Sequence, residues 1–286
     1  MTANLPILPK LMVDEAAKAA LLEDWGRAGD ITSQSTIPAD RQATAVIASR
    51  RPGVLAGIAL AESAFRLTDE AVRFEVLAED GARLEKGTLV ARMSGPARAI
   101  LSAERVALNY LGHLSGIASA TARFADLIAH TKADIVCTRK TTPGLRAFEK
   151  YAVRCGGGSN HRFGLDDAIL IKDNHIAVAG GVREAIEAAK AFAGHLVKIE
   201  VEVDTLDQLR EALPCKPDVV MLDNMGPDLL AEGVGIAGGQ VLLEASGGIE
   251  ADTIKAIAEA GVDLISSGWI THSAPVLDLG LDIEIG

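Results

Sequence analysis

Between residues 156 and 175 the sequence reads GGGSNHRFGLDDAILIKDNH, so His161, Arg162, Lys172 and His175 crowd the ends of one short apolar run, Ala168 to Ile171. Cations gathered at a buried strand are costly unless something anionic meets them. Other reactive residue types recur at the same relative place, the ends of apolar runs. These are Arg139 and Lys140 after DIVCT, Glu202 in VKIEVEV, Asp223 in VVMLDN, Ser246 to Gly248 after VLLEA, and Gly268 after LISS. Arg139, Lys140, His161, Arg162 and Lys172 make a cationic set suited to an anion with several carboxylates or phosphates, because a guanidinium grips such groups in a planar fork. Glu202 and Asp223 carry the opposite sign. Beside a phosphate ligand that makes sense if magnesium sits between, since the ion takes oxygen ligands and keeps waters. The turn at 245–248, with a helix expected to open at Glu250, offers backbone N–H groups to a phosphate. An internal salt-bridge layer is the alternative use of so many charges.

The elements that must position these residues follow from the patterning. Six short apolar runs, starting at Asp134, Ala168, Val197, Val219, Val241 and Leu264, alternate with amphipathic segments such as VREAIEAAKAFAG and ADTIKAIAEAG that end in glycine. That alternation is the signal of repeated βα units and a parallel sheet. So many evenly spaced units point to a β/α barrel of fewer than eight strands, with an open doubly wound sheet as the alternative. In such a barrel function collects at the carboxyl ends of the strands. Within VKIEVEV a period of two puts Lys198, Glu200 and Glu202 on the inner face. Lys198 and Glu200, deeper, are expected to pair, which leaves Glu202 for a ligand or metal. The first hundred or so residues read differently, as an α+β domain: helical VDEAAKAALLEDWGRAG, then β runs broken by EDG and EKG turns. A helical pattern from Ile100 to Ser119 links the two parts.

Composition removes several function classes. A net charge of -11 with 3% aromatic residues leaves no polyanion-binding surface and no base-stacking platform, so nucleic acid is not expected as a partner. No GxGxxG follows a strand run, which weakens a dinucleotide-binding reading. The N-terminus lacks a basic segment followed by an apolar core, and nowhere do 18 apolar residues run together. No membrane partner and a cytoplasmic location are expected. Cys137, Cys155 and Cys215 show no CxxC spacing and are expected as reduced core thiols.

Longer motifs carry a family resemblance. TRKTTPGLR at 138–146, EKYAVRCGGGSNHRFGLDDAILIKDNH at 149–175, VEVDTLDQL at 201–209, MLDNM at 221–225, EASGGI at 244–249 and THS at 271–273 resemble quinolinate phosphoribosyltransferases. In the first half, LEDWGRAGDITS at 22–33 and SAERVALNYLGHLSGIAS at 102–119 are similar to the same family.

The resemblance implies an α/β fold: an N-terminal α/β sandwich domain followed by an incomplete, seven-stranded β/α barrel. The sandwich would comprise residues 1–112, joined by the C-terminal segment 271–286, and the barrel residues 113–270. It implies decarboxylating phosphoribosyl transfer from phosphoribosyl pyrophosphate to quinolinate, giving nicotinate mononucleotide, pyrophosphate and carbon dioxide in NAD biosynthesis. The cofactor would be magnesium, with no organic cofactor. The partner would be a second copy, in a homodimer with shared active sites or a higher assembly built from it.

Matched residue by residue, Arg105, Arg139, His161, Arg162 and Lys172 would surround quinolinate, with Arg105 reaching the neighbouring subunit's site. Lys140, Glu202 and Asp223 would be the catalytic set facing the phosphoribosyl group, the two acids also holding magnesium, directly or through water. Ser246, Gly247, Gly248 and Gly268 would lie near a phosphate, and Thr138, Ser267, Trp269 and His272 would also be substrate-binding. The family usually has small or aliphatic residues where this chain reads SSGWITH at 266–272, although Gly268 itself matches. The alternatives are a related phosphoribosyltransferase-like protein of molybdate-transport systems, a Schiff-base aldolase using Lys140 or Lys172, and a non-catalytic metabolite-binding barrel.

Overall fold

The computed structural model describes residues 5–284. The chain divides into two compact units, one made of residues up to 122 with 147–157 and the segment from 274, the other of residues 123–146 and 158–273.

In the first unit α1 (Lys10–Trp25) and α2 (Ile31–Thr36) precede β1 (Gln42–Ser49), β2 (Gly53–Val54) and α3 (Ile58–Thr68). Then come β3 (Arg73–Val76), β4 (Arg83–Leu84), β5 (Leu89–Pro96) and α4 (Ala97–Ile128), which carries the chain past the unit boundary. Asp30 starts α2 by accepting the Ser33 N–H at 2.9 Å. The final strand, β12 (Leu279–Glu284), returns to pair with β1, completing an antiparallel sheet in the order β12-β1-β5-β3. Ile47, Met93, Phe65 and Leu111 have no exposed surface and form one core from β1, β5, α3 and α4. Gly57, at a φ of 102°, turns the chain into α3, a conformation that costs a side chain about 1–2 kcal/mol.

The second unit is built on β6 (Asp134–Val136), β7 (Ile169–Ile171), β8 (Ile199–Val203), β9 (Val219–Asp223), β10 (Leu242–Ser246) and β11 (Leu264–Ser266). Each falls on one of the six apolar runs. They pair in parallel in the order β6-β11-β10-β9-β8-β7. Six strands rather than seven make this sheet among the described residues. A seventh position exists as one parallel bridge, Ser159 to Val136, beside β6. Between Gly157 and Ser159 the backbone pairs once and turns away toward His161, because that segment is spent on glycines and site residues rather than on a β-forming run.

Helices α5 (Arg146–Cys155), α6 (Asp173–Ala179), α7 (Val182–Phe192), α8 (Leu206–Ala212), α9 (Pro227–Ala237), α10 (Ile254–Glu259) and α11 (Trp269–His272) intervene, α5 lying largely in the first unit. Thr205 and Gln208 close a capping box on α8, which fixes where the chain leaves β8. No described helix is long and apolar enough to cross a membrane. All three cysteines are free and buried.

Candidate active site

At the carboxyl ends of the six parallel strands lies a cavity of about 750 Å³. Strand register sets its wall: Glu202 is level with Met221 across β8 and β9, Asp223 with Ser246 across β9 and β10, and Ser266 with Val136 across β11 and β6. Thr138, Arg139 and Lys140 enter from the loop after β6, and Lys172 follows directly on β7. Gly247 and Gly248 continue from β10, and Ser267, Gly268, Trp269 and His272 continue from β11. His161 and Arg162 come from the loop before β7. Of the residues expected at the site only Arg105 lies elsewhere, exposed on α4 in the first unit.

The cations are held in place by the backbone. The Thr138 hydroxyl accepts the Lys140 N–H at 3.0 Å, and Thr271 donates its hydroxyl to the Lys140 carbonyl at 2.7 Å, tying α11 to that loop. Arg146 donates to Thr141 Oγ1 at 3.0 Å and to the Phe163 carbonyl at 3.1 Å, so it clamps the two loops that deliver Arg139 and Arg162. Arg162 Nη1 donates to the Ala168 carbonyl at 3.1 Å. The buried Nε atoms of Arg139 and Arg162 have no hydrogen-bond partner among the described residues. Burial, and after it the charge of Arg139, pulls the Arg162 guanidinium below its ordinary pKa. Two half-buried guanidiniums side by side repel one another, and an anion between them relieves that repulsion.

The acids divide by depth. Lys172 Nζ donates to Glu202 Oε2 at 2.6 Å, and Asn224 Nδ2 donates to Asp223 Oδ2 at 2.5 Å. Glu202 is 9% exposed and Asp223 is half-buried, each at the cavity end of its strand. Lys198 does not pair with Glu200. It lies exposed and donates to Asp218 at 2.5 Å, because β8 begins at Ile199 and Lys198 is outside the ladder. Glu200 instead receives His161 Nε2 at 2.7 Å, with Glu244 3.9 Å from the same nitrogen. The Arg162 N–H donates to His161 Nδ1 at 2.8 Å, so Nδ1 is unprotonated and the ring proton sits on Nε2. His161 is thereby bonded at both ring nitrogens, to Glu200 and to the Arg162 main chain.

The glycine turn after β10 does not open a helix at Glu250. Residues 247–248 form a bend, 251–253 a turn, and α10 begins at Ile254. What the turn offers is a loop cradle: Gly247 and Gly248 have φ of 91° and 58°, and a Cβ on Gly247 would run into the Asn224 side chain. A side chain on Gly268 would meet Lys140 Cδ at 2.8 Å. The Trp269 ring stacks on Phe124 with centroids 5.7 Å apart, which fixes that part of the wall. Glu244 and Asn224 also line the cavity and were given no role from sequence. The signal for Glu244 was available, since a single acid inside the apolar run VLLEA is out of character for a buried strand.

For magnesium the donor chemistry fits. Glu202 and Asp223 offer carboxylate oxygens on neighbouring strands with the glycine cradle beside them, and this ion prefers one or two carboxylates together with substrate phosphates. His161, Glu200 and Glu244 also lie close enough to share a cation, their ligand atoms within 4.8 Å of one another. Nitrogen and a pre-formed N–H to carboxylate bond suit that hard ion less well.

Comparison with known proteins agrees with this architecture. The family model for the N-terminal domain of quinolinate phosphoribosyl transferase matches residues 30–115, and that for its C-terminal domain matches residues 117–282. The chain is 46% identical over 264 residues to a Bacillus subtilis protein named as a probable nicotinate-nucleotide pyrophosphorylase (carboxylating), covering 92% of this chain and 91% of that one. It is 43% identical over 276 residues to the nicotinate-nucleotide pyrophosphorylase (carboxylating) of Mycobacterium leprae, covering 94% and 96%. The solved nicotinate-nucleotide pyrophosphorylase of Francisella tularensis superposes with a TM-score of 0.94 at 40% identity, covering 99% of this chain and all of that one.

Proposed function

The chain belongs to the quinolinate phosphoribosyltransferase family, and on that premise we propose that it joins quinolinate to phosphoribosyl pyrophosphate, releasing pyrophosphate and carbon dioxide and forming nicotinate mononucleotide for NAD biosynthesis. The observation that carries the reading is the pair of half-buried arginines on one cavity wall, Arg139 and Arg162, whose buried Nε atoms have no hydrogen-bond partner among the described residues. Quinolinate has two adjacent carboxylates, and two planar forks side by side match them.

The residues then take the following roles. Arg139 and Arg162 bind and orient the dicarboxylate, with Lys172 adding charge from the end of β7. The amides of the Ser246–Gly248 turn and of Gly268, with Lys140, hold the phosphates of the donor. Glu202 and Asp223 would hold magnesium, which when bound neutralises pyrophosphate charge and steadies the leaving group. The pyridine nitrogen attacks C1′ of the ribose, and the C–O electron pair departs with pyrophosphate. Positive charge builds on the ribose as that bond lengthens, and the carboxylates across the cavity face it. The alkylated ring nitrogen then stabilises the electron pair left at C2 when the C–C bond to the carboxylate breaks. C2 takes a proton, and carbon dioxide leaves.

Lys172 Nζ donates to Glu202 at 2.6 Å, and a lysine tied to a carboxylate suits an electrostatic role better than a Schiff base. The enzyme would work in the cytoplasm as a homodimer. The test is release of labelled carbon dioxide from quinolinate. It is expected only when phosphoribosyl pyrophosphate and magnesium are both present, and no release under those conditions would overturn the assignment.

A further inference from the structure

Beside Arg162, the side chains of His161, Glu200 and Glu244 have been given no step in that reaction. Glu200 and Glu244 are 7% and 1% exposed, and each keeps one carboxylate oxygen, Oε1, with no hydrogen-bond partner among the described residues. Burying two carboxyls together is unfavourable unless at most one carries charge. Glu244 bears the burden: burial first, then the charge of Glu200, pushes it up to about 7. Glu200 has the opposite circumstance, a 2.7 Å contact with the N–H of His161 and an attractive interaction with Arg162.

His161 connects these acids to the substrate wall. Its Nε2 proton goes to Glu200 and its Nδ1 accepts the Arg162 main-chain N–H. A ring pinned at both nitrogens cannot rotate without breaking a bond, and a ring protonated at both could not accept from Arg162. The imidazole is thus a fixed strut between β8 and the loop that carries a guanidinium. The arrangement has the form of the carboxylate–histidine pairs that orient functional groups elsewhere, with a backbone amide in the place of a metal or nucleophile.

We propose that Glu200 is a positioning residue for quinolinate: by accepting the Nε2 proton of His161 it holds the ring in the tautomer that fixes the Arg162 backbone, and so sets the guanidinium at the cavity wall. This rests on the reading of quinolinate as substrate. It predicts an effect that is specific to one substrate, because Glu200 touches the strut of the dicarboxylate side and not the glycine cradle.

Two measurements test it. Nitrogen-15 spectroscopy of the unliganded protein, with His161 assigned through a His161→Gln variant, should show one protonated and one unprotonated ring nitrogen, the proton on Nε2. A doubly protonated ring, or a proton on Nδ1, would overturn the strut whatever the substrate is. Calorimetry with quinolinate then compares wild type, Glu200→Ala and Glu200→Gln. Alanine should weaken binding about tenfold or more, the loss expected when a charge-assisted bond and the order it imposes are removed. Glutamine, whose amide oxygen still accepts from Nε2, should recover most of that loss. The KM for the phosphoribosyl donor should move less than twofold in either. Equal loss toward both substrates together with a lowered Tm, or a folded Glu200→Ala protein that binds quinolinate like wild type, would overturn the role. A wild-type protein that fails to bind quinolinate would instead show that the functional reading itself is at fault, and this inference would fall with it.

Discussion

Arg162 shows how much one side chain is asked to do. Its Nη1 is spent on the Ala168 carbonyl, its main-chain N–H on His161, and its Nε points into buried space with nothing to meet it. Arg162→Ala is therefore expected to keep the fold and lose quinolinate affinity by roughly tenfold to a hundredfold, the value of a charged hydrogen bond at about 1.5–3 kcal/mol. Lysine should rescue poorly, because an ammonium can neither fork across a carboxylate nor reach the Ala168 carbonyl at the same time. Calorimetry on the two variants decides this, and unchanged binding in a folded Arg162→Ala protein would remove the residue from the site. The acids across the cavity should behave differently. Glu202→Gln and Asp223→Asn are expected to raise the magnesium concentration needed for half-maximal turnover while shifting quinolinate affinity little, since these groups would face a cation. Identical magnesium dependence in both variants and wild type would show that neither acid holds the metal.

At the scale of the strands, the same sheet serves as scaffold and as source of charge, and the cost shows in Glu244 on β10. A carboxyl raised from its ordinary value of 4.5 to about 7 in the folded protein binds its proton more tightly there than in the unfolded chain. Its contribution to stability is thus fully present below about pH 4.5 and is lost as pH rises toward 7. Burial and the charge of Glu200 on β8 raise it, while His161 on the loop before β7 and the Ser266 hydroxyl on β11 pull the other way. Glu244→Gln removes the titration, so the variant's Tm relative to wild type should rise between pH 5 and 7. A Tm difference that stays flat across that range would mean the carboxyl is not the titrating group.

The strands were also the most legible part of the sequence. Runs such as VKIEVEV and VVMLDN are β-branched, short and bounded by turn residues, so their pattern is local and survives folding. What fell outside local pattern was misread. Period two puts Lys198 on the inner face, but the strand starts two residues after Val197, at Ile199, and the lysine lies exposed at the sheet's end, where it bonds Asp218. The helix expected at Glu250 begins at Ile254, since the glycine cradle needs several residues of turn before a helix can start. The candidate site could be read as a set of residue types at strand ends. The two bonds of the His161 ring could not, because they go to an acid 39 residues away and to a backbone amide.

For the molecule as a whole, the net charge of -11 gives no long-range field that draws in anions, so an anionic substrate depends on the cations placed at one wall of the cavity. That leaves Arg105 as the cation without a place. It lies exposed on α4 in the first unit, among residues whose sequence matches the family, and the cavity of the second unit is lined without it. If Arg105 serves quinolinate in a second copy of the chain, catalysis requires the dimer, and each active site draws on both subunits. Arg105→Ala and Lys140→Ala should each be inactive as homodimers. Mixed under conditions that let subunits exchange, they should form heterodimers with one site carrying both lesions and one carrying neither. Random exchange makes about half the dimers mixed, each with one of its two sites intact, so activity should recover toward about a quarter of wild type. Recovery near that level would assign Arg105 to the partner's site. No recovery, with exchange confirmed by mass spectrometry of tagged subunits, would assign it to its own chain or to none.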